Sequence, residues 1–551
     1  MKRTLAIALA AALLLGAAGC TAQGQQTGTP APQTGAPASA APAPAGDGHK
    51  YGGTLVVATK LEPSTFVSNY NWDGAIPYIG RNIFSKLVAY DDSTNELYGD
   101  LAESWSNSDD LMTYTFNLRQ GVKWHDGESF TSADVKWTID SILEMGDRAY
   151  GYSVLSAVER VEAPDDYTVV LHLSEPSGTM INNVADYYGF DILPKHLYEG
   201  TDVNENPCNT VPVGTGPFKF VEHVTGSHVT LEANPDYFGD GPYLDQVVFT
   251  FAPSETTAMT ALEAGEAHFM TASPAFAEVS RLQSVSGLKV DMQPSTITQW
   301  MGFNMDGTRP HISDPVVREA IACAVNNEEI AQKLYMGLVN PATSWYTTLI
   351  GWADNTAVRQ PAYDVAKANQ LLDDAGYTKG SDGYRFSLVY RCFPTSIFGT
   401  TDIPNFVVQY LDAIGIKVEV QQYEWALRTE MLDNQRDWDM CSGGGDRGPD
   451  ANNFASYLLS SSASNKMRYS NPEIDRLFAE GTQHAGEAER APYYFQVQEI
   501  IAKDIPMFNF VEYGRPWVYS DQFTGFYWQA DSGHSAQHMV NTVEWAGGTA
   551  G

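Results

Sequence analysis

The first fifty residues constrain the chain most, because they read as a targeting segment and a tether and not as part of a folded core. Lys2 and Arg3 precede Leu5 to Ala18, an unbroken apolar and small-residue stretch that ends at Ala17-Ala18-Gly19-Cys20. A charged start, a short apolar middle and a small-residue end make a targeting segment, and the apolar part is too short for an ordinary membrane span. From Thr21 to His49 the chain uses only Thr, Ala, Gln, Gly, Pro, Ser, Asp and His. That composition makes an extended, hydrated tether. Folding therefore starts near Lys50.

Small residues directly before a cysteine resemble the bacterial lipobox, with Ala17 where Leu is usual, so Cys20 is the expected lipidation site and membrane anchor. Four other cysteines, Cys208, Cys323, Cys392 and Cys441, have wide and irregular spacing and no CxxC pair. Spacing leaves both disulfides and free thiols open. The chain's 12% aromatic content, all of it beyond residue 50, is that of globular material. Lys and Arg (33) against Asp and Glu (67) leave a net charge of −34, which argues against nucleic acid as a partner, since phosphates need a basic face.

The local patterns are mixed. Gly52-Gly53-Thr54 leads into Leu55-Val56-Val57-Ala58, which reads as a buried strand. Tyr114, Phe116 and Leu118 alternate with polar residues, as do Tyr167, Val169, Leu171 and Leu173, predicting half-buried antiparallel strands. Between them His125-Asp126-Gly127 marks a turn. Thr131 and Asp134 form a capping-box pattern before Val135, Ile139 and Ile142 at helical spacing. Val365, Ala368, Leu371, Leu372 and Ala375 predict a helix that stops at Gly376. No fixed-period repeat is present, and the whole reads as α/β.

Catalytic templates are missing: there is no HExxH, no GxSxG elbow and no Walker lysine motif. His534 and His538 are four apart but lack an adjoining acidic third ligand, so no metal site and no cofactor is expected. Gly443-Gly444-Gly445-Asp446-Arg447-Gly448 satisfies GxGxxG after the strand-like Trp438-Asp439-Met440-Cys441, yet Pro449-Asp450-Ala451 continues as a loop, not as the helix that a pyrophosphate needs. The glycines read instead as a flexible strand-end loop presenting Asp446 and Arg447.

A series of short words runs through the body in a fixed order. They are Ile83-Phe84-Ser85-Lys86-Leu87, Leu101-Ala102-Glu103-Ser104-Trp105, Leu118 to Gly127, Ile192-Leu193-Pro194-Lys195-His196, Val213 to Phe218, Asn234-Pro235-Asp236-Tyr237-Phe238, Asp314 to Ala320 and Tyr469 to Asp475. Their order and spacing resemble those of the extracellular solute-binding protein family 5, the peptide-type receptors of ABC importers. The resemblance implies a type II periplasmic-binding fold, with two lobes joined by hinge strands. With the signal peptide at 1–20 and the linker at 21–50 read above, it implies on this numbering lobe I at 51–303 with an inserted subdomain near 89–209, lobe II at 304–510, and a return to lobe I at 511–551.

The resemblance also implies a function: a lipid-anchored, monomeric receptor on the outer face of the cytoplasmic membrane that captures peptides and passes them to ABC permease subunits. The same role for a sugar or metal chelate, an extracellular hydrolase and a peptide-sensing surface protein are the alternatives. Asp446 heads the implied ligand residues, because an aspartate in the corresponding loop of peptide-binding members holds the peptide's ammonium group. Here Gly444-Gly445 replace the usual aromatic and alanine before it, and Arg447-Gly448 follow. Trp425, Trp345 and Tyr346 fall in segments that face the cleft in relatives. Phe303 and Asn304 fall near the lobe crossing, and Tyr70, Asn71 and Trp72 follow the first strand. Arg391 is a candidate partner for a peptide carboxylate.

Overall fold

The structure, a computed structural model, describes residues 49–71, 76–90, 96–185, 190–393, 402–446, 450–526, 540 and 542–546. The expected signal segment, Cys20, Trp72, Arg447, His534 and His538 lie outside the described residues. The body opens with β1 (Thr54–Thr59), followed by a small pair, β2 (Val88–Tyr90) and β3 (Leu97–Gly99). Next comes an antiparallel sheet of β4 (Ala102–Asn107), β5 (Thr113–Leu118), β6 (Val158–Asp165) and β7 (Thr168–Leu173), in the order β4-β5-β7-β6. Alternation works as read: Tyr114, Phe116 and Leu118 of β5 are buried, and β5 pairs antiparallel with β7. The helix Ser132–Met145 packs beneath this sheet and begins at the expected capping box, with the Thr131 N–H donated to Asp134 Oδ2 at 2.9 Å.

The first large sheet adds β8 (Phe218–Val224), β9 (His228–Ala233), β10 (Gln246–Phe251), β11 (Phe269–Met270) and β12 (Leu288–Gln293). The second holds β13 (Ile297–Phe303), β14 (Asn340–Pro341), β15 (Phe386–Cys392), β16 (Ile416–Gln422), β17 (Met440–Asp446) and β18 (Met507–Glu512). The chain then returns through β19 (Arg515–Ser520), and a small pair, β20 (Phe523–Thr524) and β21 (Glu544–Trp545), follows. Strand order is β12-β19-β11-β1-β10-β9-β8 in the first sheet and β14-β18-β13-β17-β15-β16 in the second. β1 lies parallel to both neighbours, while β13 lies antiparallel to both of its own.

The chain thus crosses between sheets twice, at 294–296 and 513–514. The first crossing comes before β13, not after Phe303 as expected. All seven residues of β13 are buried, as a central strand of the second sheet must be. Each large sheet has apolar clusters of its own: one includes Leu55, Phe249 and Trp517, another Met301, Ile321 and Leu411. Helix Val365–Asp374 is present, with Asp364 as its cap and Gly376 in the left-handed region beyond its end. The four described cysteines are free thiols. No helix among the described residues is long and apolar enough to cross a membrane.

Candidate functional site

The two crossings run side by side. Gln293 is in register with Arg515 in the first sheet, and Thr298 with Glu512 in the second. Between these ladders the Tyr513 N–H is donated to Ile297 O at 2.9 Å, and Ser295 Oγ bonds the Tyr513 carbonyl. A two-stranded joint of this kind bends without breaking either ladder. Beside it lies a cavity of about 370 Å³, walled by residues of both crossings and by Leu338, Val339, Asn340 and Thr348.

β17 reaches the joint from the other side, with Asp446 in register with Ile297. Along one edge it pairs with β13 over its full length. Along the other it pairs with β15 only at Met440 and Cys441. Among the described residues no strand pairs with that edge from Ser442 to Asp446, so its backbone donors and acceptors stand outside any ladder there. The glycines expected as a loop are part of this strand. Their lack of side chains has a steric cause, since a Cβ on Gly443 would enter the Trp300 ring and one on Gly445 would strike the Tyr457 hydroxyl. Trp300 and Tyr457 meet edge to face at 6.0 Å and fill the space that side chains there would take.

Away from the joint the lobes touch again. Asn182 Nδ2, on the helix Met180–Ala185 after β7, donates to Asp450 Oδ2 at 2.7 Å. Arg490 grips Asp450 with two bonds of 2.5 and 2.6 Å, and all of this pair is buried. Burial pulls the Arg490 guanidinium toward neutrality, but the bonds to Asp450 more than offset this and hold it charged. Nearby, the Gly178 N–H is donated to Thr482 O at 2.6 Å. The joint and this outer contact thus connect the two lobes at separate places.

The expected site residues separate against this frame. Asp446 ends the open edge, and Asn71 is exposed after β1. Trp425 is 45% exposed, with Arg428 over its ring at 5.2 Å. The other described aromatics expected at the cleft, Trp345, Tyr346, Tyr70 and Phe303, are buried in packed interiors. Trp345 is buried with its indole N–H donated to Met507 O at 3.3 Å, and Tyr70 is buried with its hydroxyl 2.9 Å from Ser141 Oγ. Buried Tyr346 donates to Ala451 O at 3.2 Å, propping the segment beyond Asp446. Phe303 and Asn304 are fully buried at the opposite end of β13, about 20 Å from Asp446 at strand rise. Asn304 Nδ2 donates to Trp438 O at 3.0 Å.

Arg391 is 2% exposed and already committed: it donates to Asp437 Oδ1 at 2.7 Å, to Gln435 O at 3.1 Å and to Met431 O. It clamps the segment that carries Trp425 and leaves no face for a carboxylate. Sequence reasoning missed Trp300, Tyr457, Asn182, Asp450 and Glu512. Glycine at alternate positions 443 and 445 was the one available signal, because alternation on a strand marks a face covered by something else.

Comparison with known proteins agrees with this geometry. Residues 96–466 match the family described as bacterial extracellular solute-binding proteins, family 5 Middle. A Brucella ovis protein named as an ABC transporter peptide-binding protein is 35% identical over 337 residues, covering 59% of this chain and 61% of its own, so the chain spans about three fifths of that relative's length. The oligopeptide-binding protein AppA of Bacillus subtilis is 30% identical over 486 residues, 84% of this chain and 86% of its own. The solved structure of the Helicobacter pylori periplasmic binding protein DppA with the peptide STSA superposes with a TM-score of 0.73 at 27% identity, covering 90% of this chain and 99% of that one. The fold is the two-lobed periplasmic-binding type, and the chain belongs to the bacterial extracellular solute-binding proteins of family 5.

Proposed function

We propose that this protein captures peptides between its lobes, without turning them over, and delivers them to the permease subunits of an ABC importer. The observation that carries this reading is the open edge of β17, which offers a peptide a strand to pair with where the crossings meet. Relatives named for oligopeptides and peptide binding support it. In this reading Asp446 takes the ligand's ammonium group, and Arg447, Asn71, Trp72 and Trp425 surround the ligand. Buried Trp345, Tyr346, Tyr70, Phe303, Asn304 and Arg391 hold those residues in place. The first lobe comprises residues 51–293 and 515–551, with the inserted subdomain near 89–209, and the protein acts as a monomer held at the outer membrane face through lipidated Cys20.

Calorimetry with short free-amine peptides and their N-acetylated forms tests this. Asp446→Ala is expected to weaken free-amine peptides by about tenfold or more, the scale of a charge-assisted bond, and to spare acetylated ones. Methylating alternate peptide amides is expected to abolish binding at the positions that face β17. Equal affinity for every N-methylated isomer would remove strand addition from the account.

A further inference from the structure

The cavity at the crossings carries a charge that backbone pairing leaves unused. Glu512, the last residue of β18, is the only charged side chain among its described lining residues. Its Oε2 accepts from the Thr348 N–H at 3.2 Å and the Thr348 hydroxyl at 3.0 Å. Its Oε1 has no hydrogen-bond partner among the described residues. Arg359, a cation whose charge acts on this carboxylate, is itself held 3.0 Å from Asp354. Burial raises the Glu512 carboxyl above the usual carboxylate range, against the opposing Thr348 bonds. Around this carboxylate stand Met292, Leu338 and Val339.

One acceptor oxygen and three aliphatic walls complement a cation on a methylene stem, because the stem packs against the apolar surface while the charged head pairs with the carboxylate. At about 370 Å³ the cavity is within the range of about 300–1,000 Å³ typical of small-ligand pockets. Glu512 and Asp446 also lie at the same end of the second sheet, on the two strands that flank β13. Two strand spacings separate them, about 10 Å. We propose that this cavity is a subsite for a basic side chain of the ligand, with an amine or guanidinium seated on Glu512 and its methylenes against Met292, Leu338 and Val339. The placement rests on the peptide reading for the ligand's backbone. The charge preference rests on the cavity alone.

Calorimetry on tetra-alanine peptides carrying one lysine at each position in turn, each paired with its norleucine isostere, tests the subsite. At one position or more, lysine is expected to bind about tenfold tighter than norleucine. Glu512→Gln, which keeps the shape and the Thr348 contact, is expected to erase that advantage while leaving the norleucine affinity within about twofold. Equal affinities for lysine and norleucine at every position in the native protein overturn the subsite and leave peptide capture standing, whether or not the variant folds. A lysine advantage that persists in Glu512→Gln overturns it equally. If no tetrapeptide binds, peptide capture fails, and cadaverine decides the subsite: a thermal shift lost in Glu512→Gln supports it, and no shift in the native protein overturns it.

Discussion

His125 is locked as a neutral imidazole by two residues of a distant turn. Gly214 N–H is donated to its Nδ1 at 3.2 Å, and its Nε2 lies 3.0 Å from Gly216 O, which fixes the Nε2–H tautomer. Burial pulls its pKa from 6.5 to about 4, with the Gly216 bond opposing. The unfolded chain then binds a proton that the native state refuses, so stability falls as pH drops from about 6.5 to about 4 and is level outside that window. The group accounts for about 2–3 kcal/mol of that loss. Asp100 acts in the opposite direction, since burial raises its pKa to about 6 and its contribution to stability is lost as pH rises from about 4 through 6. The two effects partly cancel in the native protein, so the informative quantity is a difference. Urea denaturation from pH 7 to pH 4 should show His125→Asn losing about 2–3 kcal/mol less than the native chain. Parallel losses in both proteins would mean that the imidazole is not kept neutral.

The helix Met180–Ala185 and the loop before it make the outer contact between lobes, and the sterics there are severe. A Cβ on Gly178 would overlap the His484 carbonyl, so this loop reaches Thr482 only because residue 178 has no side chain. Gly178→Val is expected to hold the lobes apart, giving a larger radius of gyration in scattering with ligand present and an affinity lower by about tenfold or more, since the competent form is depopulated. An unchanged envelope and affinity would show that the contact is incidental to closure. Asn182→Ala is milder because Arg490 still satisfies Asp450, whereas Arg490→Ala leaves a buried carboxylate unpaired at a cost of about 3–5 kcal/mol. This contact was not legible in the sequence, for its parts lie far apart along the chain and each reads alone as a surface polar residue. What was legible is local: the capping box at Thr131, the alternation of β5, the glycine stop after Asp374. The ordered words were legible as well, and several bind one another. Besides the bonds of His125 to Gly214 and Gly216, Asn234 Nδ2 donates to Gly216 O at 3.0 Å, and Arg318 and Tyr469 both bond Asp504. The glycines of β17 were misread because strand propensity counts against glycine, while the cause of their presence, two rings from Trp300 and Tyr457, is tertiary.

At the scale of the whole molecule, charge and hinge act on different steps of capture. A net charge of −34 sets up a field that extends about a Debye length, about 10 Å at 0.1 M salt, and draws cations toward the protein before any contact forms. Closure then depends on short-range pairing at the joint and at Asp450, which salt screens little because these groups are buried. If basic ligands use the Glu512 cavity, association and dissociation should therefore respond differently to salt. In stopped-flow measurements between about 20 and 500 mM sodium chloride, the on-rate of a lysine tetrapeptide is expected to fall by about threefold or more, with its off-rate nearly constant. The norleucine isostere, with its ammonium and carboxylate termini in balance, should show an on-rate constant to within about twofold over the same range. A salt effect of equal size on both peptides would place the charge sensitivity in the protein's own opening. A large salt effect on the lysine off-rate alone would place it in a solvent-exposed pair.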